Sequence, residues 1–223
     1  MRVLILICSL FFALPTLAQL QTPQISPLQV VEQRVGITDI KVSYHRPSVK
    51  NRIIFGDLVP YDKIWRTGAN HNTTIEFSES VRIQNQEISA GKYAMYTIPN
   101  MRSWEIIFYA DTDNSGLPDV WEDEKVVARF RGEVSSLPLS YESFSIGFDR
   151  ISHDSVDLIF LWEKTFVSIS IELNTDMLVM KSIEETMENN PSLSDYYDAA
   201  VYYLETDKDM YKAILWMNKA IDA

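Results

Sequence analysis

Residues 144–171 have the sequence FSIGFDRISHDSVDLIFLWEKTFVSISI, in which large apolar side chains occupy alternate positions. The alternation is clearest at residues 144–148, 156–162 and 167–171. A period of two is typical of a strand that presses one apolar face against a core. The stretch therefore predicts three half-buried strands that share one core.

Further short apolar runs precede this stretch, and turn residues separate them. They lie at residues 30–35, 40–45, 73–77, 81–83, 92–98, 104–109 and 126–131. Gly36 to Asp39 separates the first two and is typical of a hairpin. About nine or ten strands with no helical period between them predict an antiparallel β-sandwich or jelly roll, and they exclude a parallel α/β fold.

The apolar period becomes helical after Asn174. Asn189 to Pro191 is expected to end a first helix, and Ser192 with Asp195 resembles a capping box that starts a second. A third helix is predicted after a hinge at residues 205–209. We therefore divide the chain into an export signal (1–18), a β-sandwich domain (19–174) and a helical segment (175–223).

The last two predicted helices resemble one tetratricopeptide repeat. The residues at signature positions are Tyr197, Val201, Leu204, Met210, Ala213, Met217 and Ala220. Val201 and Lys208 stand where the signature has glycine. Because a solenoid usually needs about three repeats, an ordinary helical hairpin packed on the sandwich is the equal alternative. Either arrangement would offer a surface to a protein partner.

The first residues have the pattern of a secretory signal peptide. Arg2 precedes an apolar run at residues 3–14, and the small residue Ala18 marks the expected cleavage site. The run is too short to span a bilayer, and no second long run follows, so we expect a periplasmic or secreted protein without a membrane span. Cleavage would remove Cys8, the single cysteine, so packing alone must hold the mature fold.

Composition restricts the function. The 223 residues carry a formal charge of −11, which repels the phosphate backbone and argues against nucleic acid as a partner. The sequence contains no HExxH, GxSxG, phosphate-cradling glycine loop or dinucleotide fingerprint.

Residues 44–72 form a long connection that is rich in arginine and aromatic side chains. A connection of this length in a compact domain is commonly functional. Its candidate ligand-binding residues are Tyr44, Arg46, Arg52, Trp65, Arg66 and Asn70. Forked guanidinium donors and flat rings suit a small anionic or sugar ligand. The alternative, which we favour on residue type, is that Trp65 plugs one end of the sandwich while the arginines pair with Asp57, Asp62 or backbone carbonyls.

Residues 111–122 match the spacing of a calcium loop. The candidate ligands are the side chains of Asp111, Asp113, Ser115, Asp119 and Glu122 and the backbone carbonyl of Leu117. Gly116 is expected to adopt the positive φ that closes such a loop. Because the flanking runs are predicted strands instead of helices, an acidic β-loop without an ion is the alternative.

Three segments of the sequence resemble a known family. They are RPSVKNRIIFGDLVPYDKIWRTGANHNTTIEF (46–77), AGKYAMYTIP (90–99) and FYADTD (108–113). Together with the signal peptide, they resemble the exported bacterial family called domain of unknown function 2911. His71 stands where relatives typically carry Glu. The resemblance implies a sandwich and export but no catalytic role. The ending KAILWMNKAI (212–221) resembles the start of a tetratricopeptide extension, so we expect a shortened C-terminus.

Two classes of function follow. The first is a non-catalytic envelope protein that binds a ligand through the Arg/Trp connection and a protein partner through the helices. The second is a carbohydrate- or ester-directed hydrolase at the rim of the sandwich, which would need two carboxylates about 5–10 Å apart across a cleft.

Overall fold

A computed structural model describes residues 22–221. The export signal predicted for residues 1–18 lies outside the described residues. Within the described part of the chain, no helix is both long and apolar enough to cross a membrane.

Nine strands are present in residues 22–221, and all their pairings are antiparallel. They are β1 (Leu28–Val35), β2 (Thr38–His45), β3 (Thr74–Phe77), β4 (Val81–Ile83), β5 (Gln86–Ile88), β6 (Gly91–Pro99), β7 (Ser103–Tyr109), β8 (Val126–Asp149) and β9 (Ser155–Leu173). Their order across the sheet is β1-β2-β3-β6-β7-β8-β9-β4-β5. The predicted mainly β, antiparallel fold is therefore confirmed.

Strand β8 joins the two halves of this sheet. Its residues 126–133 pair with β7, whereas residues 134–149 pair with β9. Sequence analysis divided β8 and β9 into two strands each, and this division is wrong, because both are continuous. Register shifts along β8 and a positive φ of 50° at Glu163 interrupt the apolar alternation without ending either strand.

The two halves of the sheet enclose one apolar core. The alternating residues of the opening stretch lie in it, and those at most 2% exposed are Phe144, Ile146, Val156, Leu158, Phe160, Trp162, Val167 and Ile171. Side chains from β2, β3, β6 and β7 belong to the same cluster. Because burial of each large apolar side chain contributes about 1.5–3 kcal/mol, this shared face is the main source of stability.

Tyr44 connects the two halves through its hydroxyl group. The side chain is fully buried on β2, and its hydroxyl accepts a hydrogen bond from the Ile146 N–H (2.8 Å) and donates one to the Ile146 carbonyl (3.1 Å). Ile146 lies on β8, in the part that pairs with β9. Burial raises the pKa of Tyr44, so the phenol stays protonated and keeps both hydrogen bonds at neutral pH.

We expect Tyr44→Phe to lower the free energy of unfolding by about 1–3 kcal/mol, because it leaves two buried backbone groups of Ile146 unpaired. Tyr93→Phe is the matched control, since the Tyr93 hydroxyl bonds to the carbonyl of Ser89 at an exposed site. Urea denaturation measures both variants. Equal losses of stability would show that the hydrogen bonds between Tyr44 and Ile146 contribute no more than the exposed hydrogen bond of Tyr93.

Three helices follow the sheet: α1 (Thr175–Glu188), α2 (Leu193–Glu205) and α3 (Met210–Ile221). The capping box at the start of α2 is confirmed, since Ser192 Oγ accepts from the Asp195 N–H and Asp195 accepts from the Ser192 N–H (2.7 Å). The buried residues of α2 are Ala199, Ala200 and Tyr203. Tyr197 and Leu204, two of the residues at repeat signature positions, are about half exposed.

The helices meet the sheet at the turn between β1 and β2. Thr175 is buried there, and a Cβ added to Gly36 would lie only 2.4 Å from its hydroxyl oxygen. Asp176 then fixes α1 to the later helical segment, because it accepts hydrogen bonds from Lys208 (2.6 Å) and Tyr202 (2.9 Å). The Lys208 ammonium, followed by the Tyr202 hydroxyl, holds the pKa of Asp176 below its usual value.

Candidate functional site

The connecting segment, residues 46–73, runs from the end of β2 to the start of β3. β3 pairs with β6 as far as Ala94, and beyond this point Trp65 forms a bridge with Thr97 of β6. The Trp65 N–H donates to the Thr97 carbonyl (2.7 Å), and the Trp65 carbonyl accepts from the Thr97 N–H (2.9 Å). The connecting segment is therefore held by the sheet at its middle.

The Trp65 side chain packs into the end of the core. Its ring is stacked on Trp162 at a centroid distance of 5.8 Å and meets Trp104, Phe144 and Phe55 edge-on. The indole N–H donates to the Gly68 carbonyl (3.1 Å), so its polar atom is satisfied. These contacts agree with the prediction that Trp65 plugs one end of the sandwich.

A cavity of about 440 Å³ opens against this plug, and we call it the basic cavity. It lies between the connecting segment, the N-terminal arm (residues 22–27) and β9. Its lining residues are Ile25, Ser26, Pro47, Ser48, Lys50, Arg52, Leu58, Val59, Trp65, Arg66, Gly68, Ala69, Asn70 and Trp162. The volume falls within the range of about 300–1,000 Å³ that is usual for small-molecule sites.

Three cations and no described carboxylate line the basic cavity. Arg52 donates to the carbonyls of Val49 (3.1 Å) and Ser48 (2.6 Å), and Arg66 Nη1 donates to the Asn70 carbonyl (3.1 Å). Neither these arginines nor Lys50 forms an ion pair with a described residue. The nearest carboxylate contact is that of Glu142, which accepts a hydrogen bond from the backbone N–H of Lys50 (2.9 Å) and does not line the cavity. The cavity thus concentrates positive charge in a protein of net charge −11.

The structure brings together four of the six predicted binding residues: Arg52, Trp65, Arg66 and Asn70. Tyr44 belongs to the core, as described above. Arg46 donates to the Phe144 carbonyl (3.0 Å) and to Ser145 Oγ (2.6 Å), which joins the end of β2 to β8. Both residues therefore have structural contacts and do not line the cavity.

The sequence analysis expected the arginines to pair with Asp57, Asp62 or backbone carbonyls. In the structure they bond to backbone carbonyls and not to these two carboxylates. Asp62 instead accepts a hydrogen bond from the Asn100 side chain (2.7 Å). Sequence reasoning missed Lys50 and Trp162 as cavity residues. Lys50 lies in the connection at residues 44–72 and could have been predicted from its charge. Trp162 could not, because only the fold places it beside Trp65.

The N-terminal arm is fixed against the connecting segment by Ser26. Its carbonyl accepts from the Asn70 side chain (3.1 Å) and lies 3.0 Å from His45 Nδ1. The backbone N–H of Arg46 also donates to the Pro27 carbonyl (2.9 Å). One wall of the basic cavity is therefore contributed by a segment that precedes the first strand.

The acidic loop, residues 111–122, lies next to the cavity on the outer face of the sheet. Asn114 donates to the Tyr96 hydroxyl (3.1 Å) and to the Gly116 carbonyl (3.0 Å), and Trp121 packs on Tyr109 at 4.7 Å. Gly116 has a φ of +86°, in agreement with the expected turn. A Cβ at Gly116 would lie 3.1 Å from the Arg66 guanidinium, so the two predicted sites adjoin.

The first and last candidate calcium ligands meet a lysine. Lys125 Nζ lies 2.8 Å from Glu122 Oε1 and 3.7 Å from Asp111 Oδ2. The side chains of Asp113, Leu117 and Asp119 are exposed. Within residues 22–221 no group of three or more His, Cys, Asp or Glu side chains is arranged for a metal ion. Calcium binding stays a prediction, and an ion would have to displace the Lys125 ammonium.

Ser115 Oγ lies 2.8 Å from His71 Nδ1, a contact that resembles the start of a nucleophile and base pair. Both side chains are exposed. No described carboxylate forms an ion pair with His71, so the third member that orients a catalytic histidine is missing from the described contacts. The geometry therefore gives the hydrolase hypothesis only a partial site.

Comparison with known proteins now identifies the family. A family model described as "Protein of unknown function (DUF2911)" matches residues 26–171, and the chain belongs to this family. The match includes the whole connecting segment and the acidic loop, and it ends two residues before the end of β9. Neither the curated proteins nor the solved structures contain a match.

We expect Trp65→Ala to cost about 3–5 kcal/mol of stability, because it empties a site among four aromatic rings. Ile53→Ala is the control in the same connecting segment, since Ile53 is 69% exposed. Thermal and urea unfolding of the unliganded protein measure both. A Trp65→Ala melting curve that matches wild type would show that the side chain is not part of the core.

We expect Lys125→Gln to strengthen calcium binding by on the order of tenfold, because it removes a cation that competes for Asp111 and Glu122. Glu122→Gln should weaken the calcium response, because it removes the twelfth ligand. Calorimetry in millimolar calcium measures the two variants and wild type. If all three respond equally or none responds, the loop is an acidic β-loop without an ion site.

Proposed function

We propose that this chain is a non-catalytic protein of the exported envelope compartment that binds a small anionic or acidic sugar ligand in the basic cavity and a protein partner through its helices. The observation that carries the ligand assignment is the set of cations Lys50, Arg52 and Arg66 beside the Trp65 ring, without a described carboxylate among them.

The donors of these cations define the chemistry of the ligand. A guanidinium group has five N–H donors, of which Arg52 uses two and Arg66 uses one in the hydrogen bonds given above. The remaining donors are available to a ligand, and carboxylate or phosphate oxygens match the guanidinium fork in pairs. The ligand is therefore rich in acceptors and negatively charged.

The aromatic lining supports a ring next to the anionic group. Trp65 lines the cavity and is only partly buried, whereas Trp162 is 1% exposed and stacks on Trp65. Flat aromatic faces bind sugar rings and other planar groups through dispersion and apolar contact. An acidic sugar or a sugar phosphate fits both the Trp65 ring and the cations.

The cavity and the helices lie at opposite ends of β2. Its last residue, His45, contacts the arm beside the cavity, while the turn that precedes Thr38 contacts Thr175 at the start of α1. Eight residues of strand separate the ends by about 25 Å. A ligand in the cavity therefore leaves the helical surface free for a partner.

Calorimetry on the mature chain from residue 19 tests the ligand assignment with three probes: glucuronate, glucose 6-phosphate and neutral glucose. We expect the charged probes to bind at least about tenfold more tightly than glucose, because only they satisfy the guanidinium donors. Arg66→Ala should weaken their binding by about tenfold or more, since hydrogen bonds to charged groups contribute about 1.5–3 kcal/mol.

Lys63→Ala is the matched control, because Lys63 is an exposed cation of the same segment that does not line the cavity. It should bind the charged probes as wild type does. Equal losses in Lys63→Ala and Arg66→Ala would indicate general charge attraction, and no binding of either charged probe would argue against an acidic sugar ligand.

A further inference from the structure

The helical segment contains an open groove between α1 and α2, which we call the helical groove. It encloses about 300 Å³ and is lined by apolar residues of both helices together with two carboxylates. Val179, Ile183 and Met187 contribute its α1 side. Thr175 is the only buried residue of α1, so the apolar side of this helix lacks a full cover within the described residues.

The helical groove is acidic. Asp195 and Asp198 are its only charged lining residues. Helices α1 and α2 together carry seven acidic residues and one lysine, Lys181, which lies 3.9 Å from Glu185. An occupant that complements this surface must therefore combine apolar side chains with positive charge.

Helix α3 of the same sequence has that chemistry. It carries Lys212 and Lys219 and no acidic residue. Its inner side packs on α2 through Ala213 and Trp216, and the Trp216 ring meets Tyr203 at 4.8 Å. Its outer side presents an exposed apolar stripe, and the stripe consists of Tyr211 (83% exposed), Ile214 (54%), Leu215 (49%) and Ile221 (71%).

We infer that the helical groove of one copy of this protein receives α3 of a second copy. Apolar residues of the stripe fill the α1 side of the groove, while Lys212 lies near Asp195 and Asp198. Helical spacing supports this arrangement, because residues 211, 214, 215 and 221 share one face and both lysines lie along one flank of it. The mode is that of an amphipathic helix in a groove.

A two-fold dimer makes the contact twice. Each copy then gives α3 and receives α3, which doubles the buried area and closes the assembly. A stable interface buries about 1,200–2,000 Å² in total, so two copies of the contact bring the buried area nearer to this range than one contact does. The inference rests on the proposed role of the helices in binding a protein partner, and it does not depend on the anion assignment of the basic cavity.

Sedimentation equilibrium of the mature chain at concentrations up to about 100 µM tests the dimer. We expect reversible dimers in wild type and at least a tenfold weaker association in Ile214→Glu and in Ile183→Glu, which alter the stripe and the groove. Leu139→Glu is the control, because Leu139 is 73% exposed on β8, far along the chain from the helices. Circular dichroism confirms that each variant is folded.

Charge reversal then tests the pairing. Asp198→Lys and Lys212→Glu should each weaken self-association, and an equal mixture of these two variants should regain it, because each groove then meets a helix of opposite charge. A wild-type chain that is monomeric throughout, or dimers that are insensitive to all four helical substitutions, would overturn the inference. Probe binding in the basic cavity, measured on the same samples, reports separately on the proposed ligand site.

Discussion

The stack of Trp65 on Trp162 is the contact on which the candidate site depends. Trp162 is a core residue of β9, whereas Trp65 belongs to the connecting segment, whose 28 residues form no strand of their own. The two hydrogen bonds to Thr97 fix the backbone of Trp65, and the ring stack fixes its side chain. Because this one residue is held from both sides, the adjacent Arg66 is held beside the core. Arg52 is held in the same cavity by its hydrogen bonds to the carbonyls of Val49 and Ser48, and the Val49 N–H bonds in turn to the Glu142 carbonyl of β8.

Charge acts as the second constraint. The chain carries 31 acidic against 20 basic residues, and most of its described ion pairs lie on the exposed surface, where each contributes about 0–1 kcal/mol. The basic cavity departs from this pattern, since its cations have no described acidic partner. Such a local excess attracts anions by field and by hydrogen bonding, while the net charge repels long polyanions. A small acidic ligand satisfies both conditions.

Much of the fold could be predicted from alternation, because β-strands with one buried face repeat every two residues. Residues 156–162 are an example, and the capping box at Ser192 is another local signal that the structure confirms. The continuity of β8 and β9 could not be predicted, since a bulge interrupts the period without ending the pairing. The prediction that Tyr44 binds a ligand is also wrong, because residue type alone does not show whether a tyrosine hydroxyl bonds to a ligand or to a buried strand.

The candidate site was predictable only in outline. Arg52, Trp65, Arg66 and Asn70 follow from the composition of one segment, whereas Trp162 is 97 positions from Trp65 and enters through the fold. Nuclear magnetic resonance of the labelled mature protein tests the central claim most directly, by titration with glucuronate. We predict shifts of the Trp65 indole N–H and the Arg52 and Arg66 side-chain N–H signals, with the Trp121 indole unchanged on the outer face. Shifts centred on Trp121, or no shift at Trp65 and both arginines, would contradict the account.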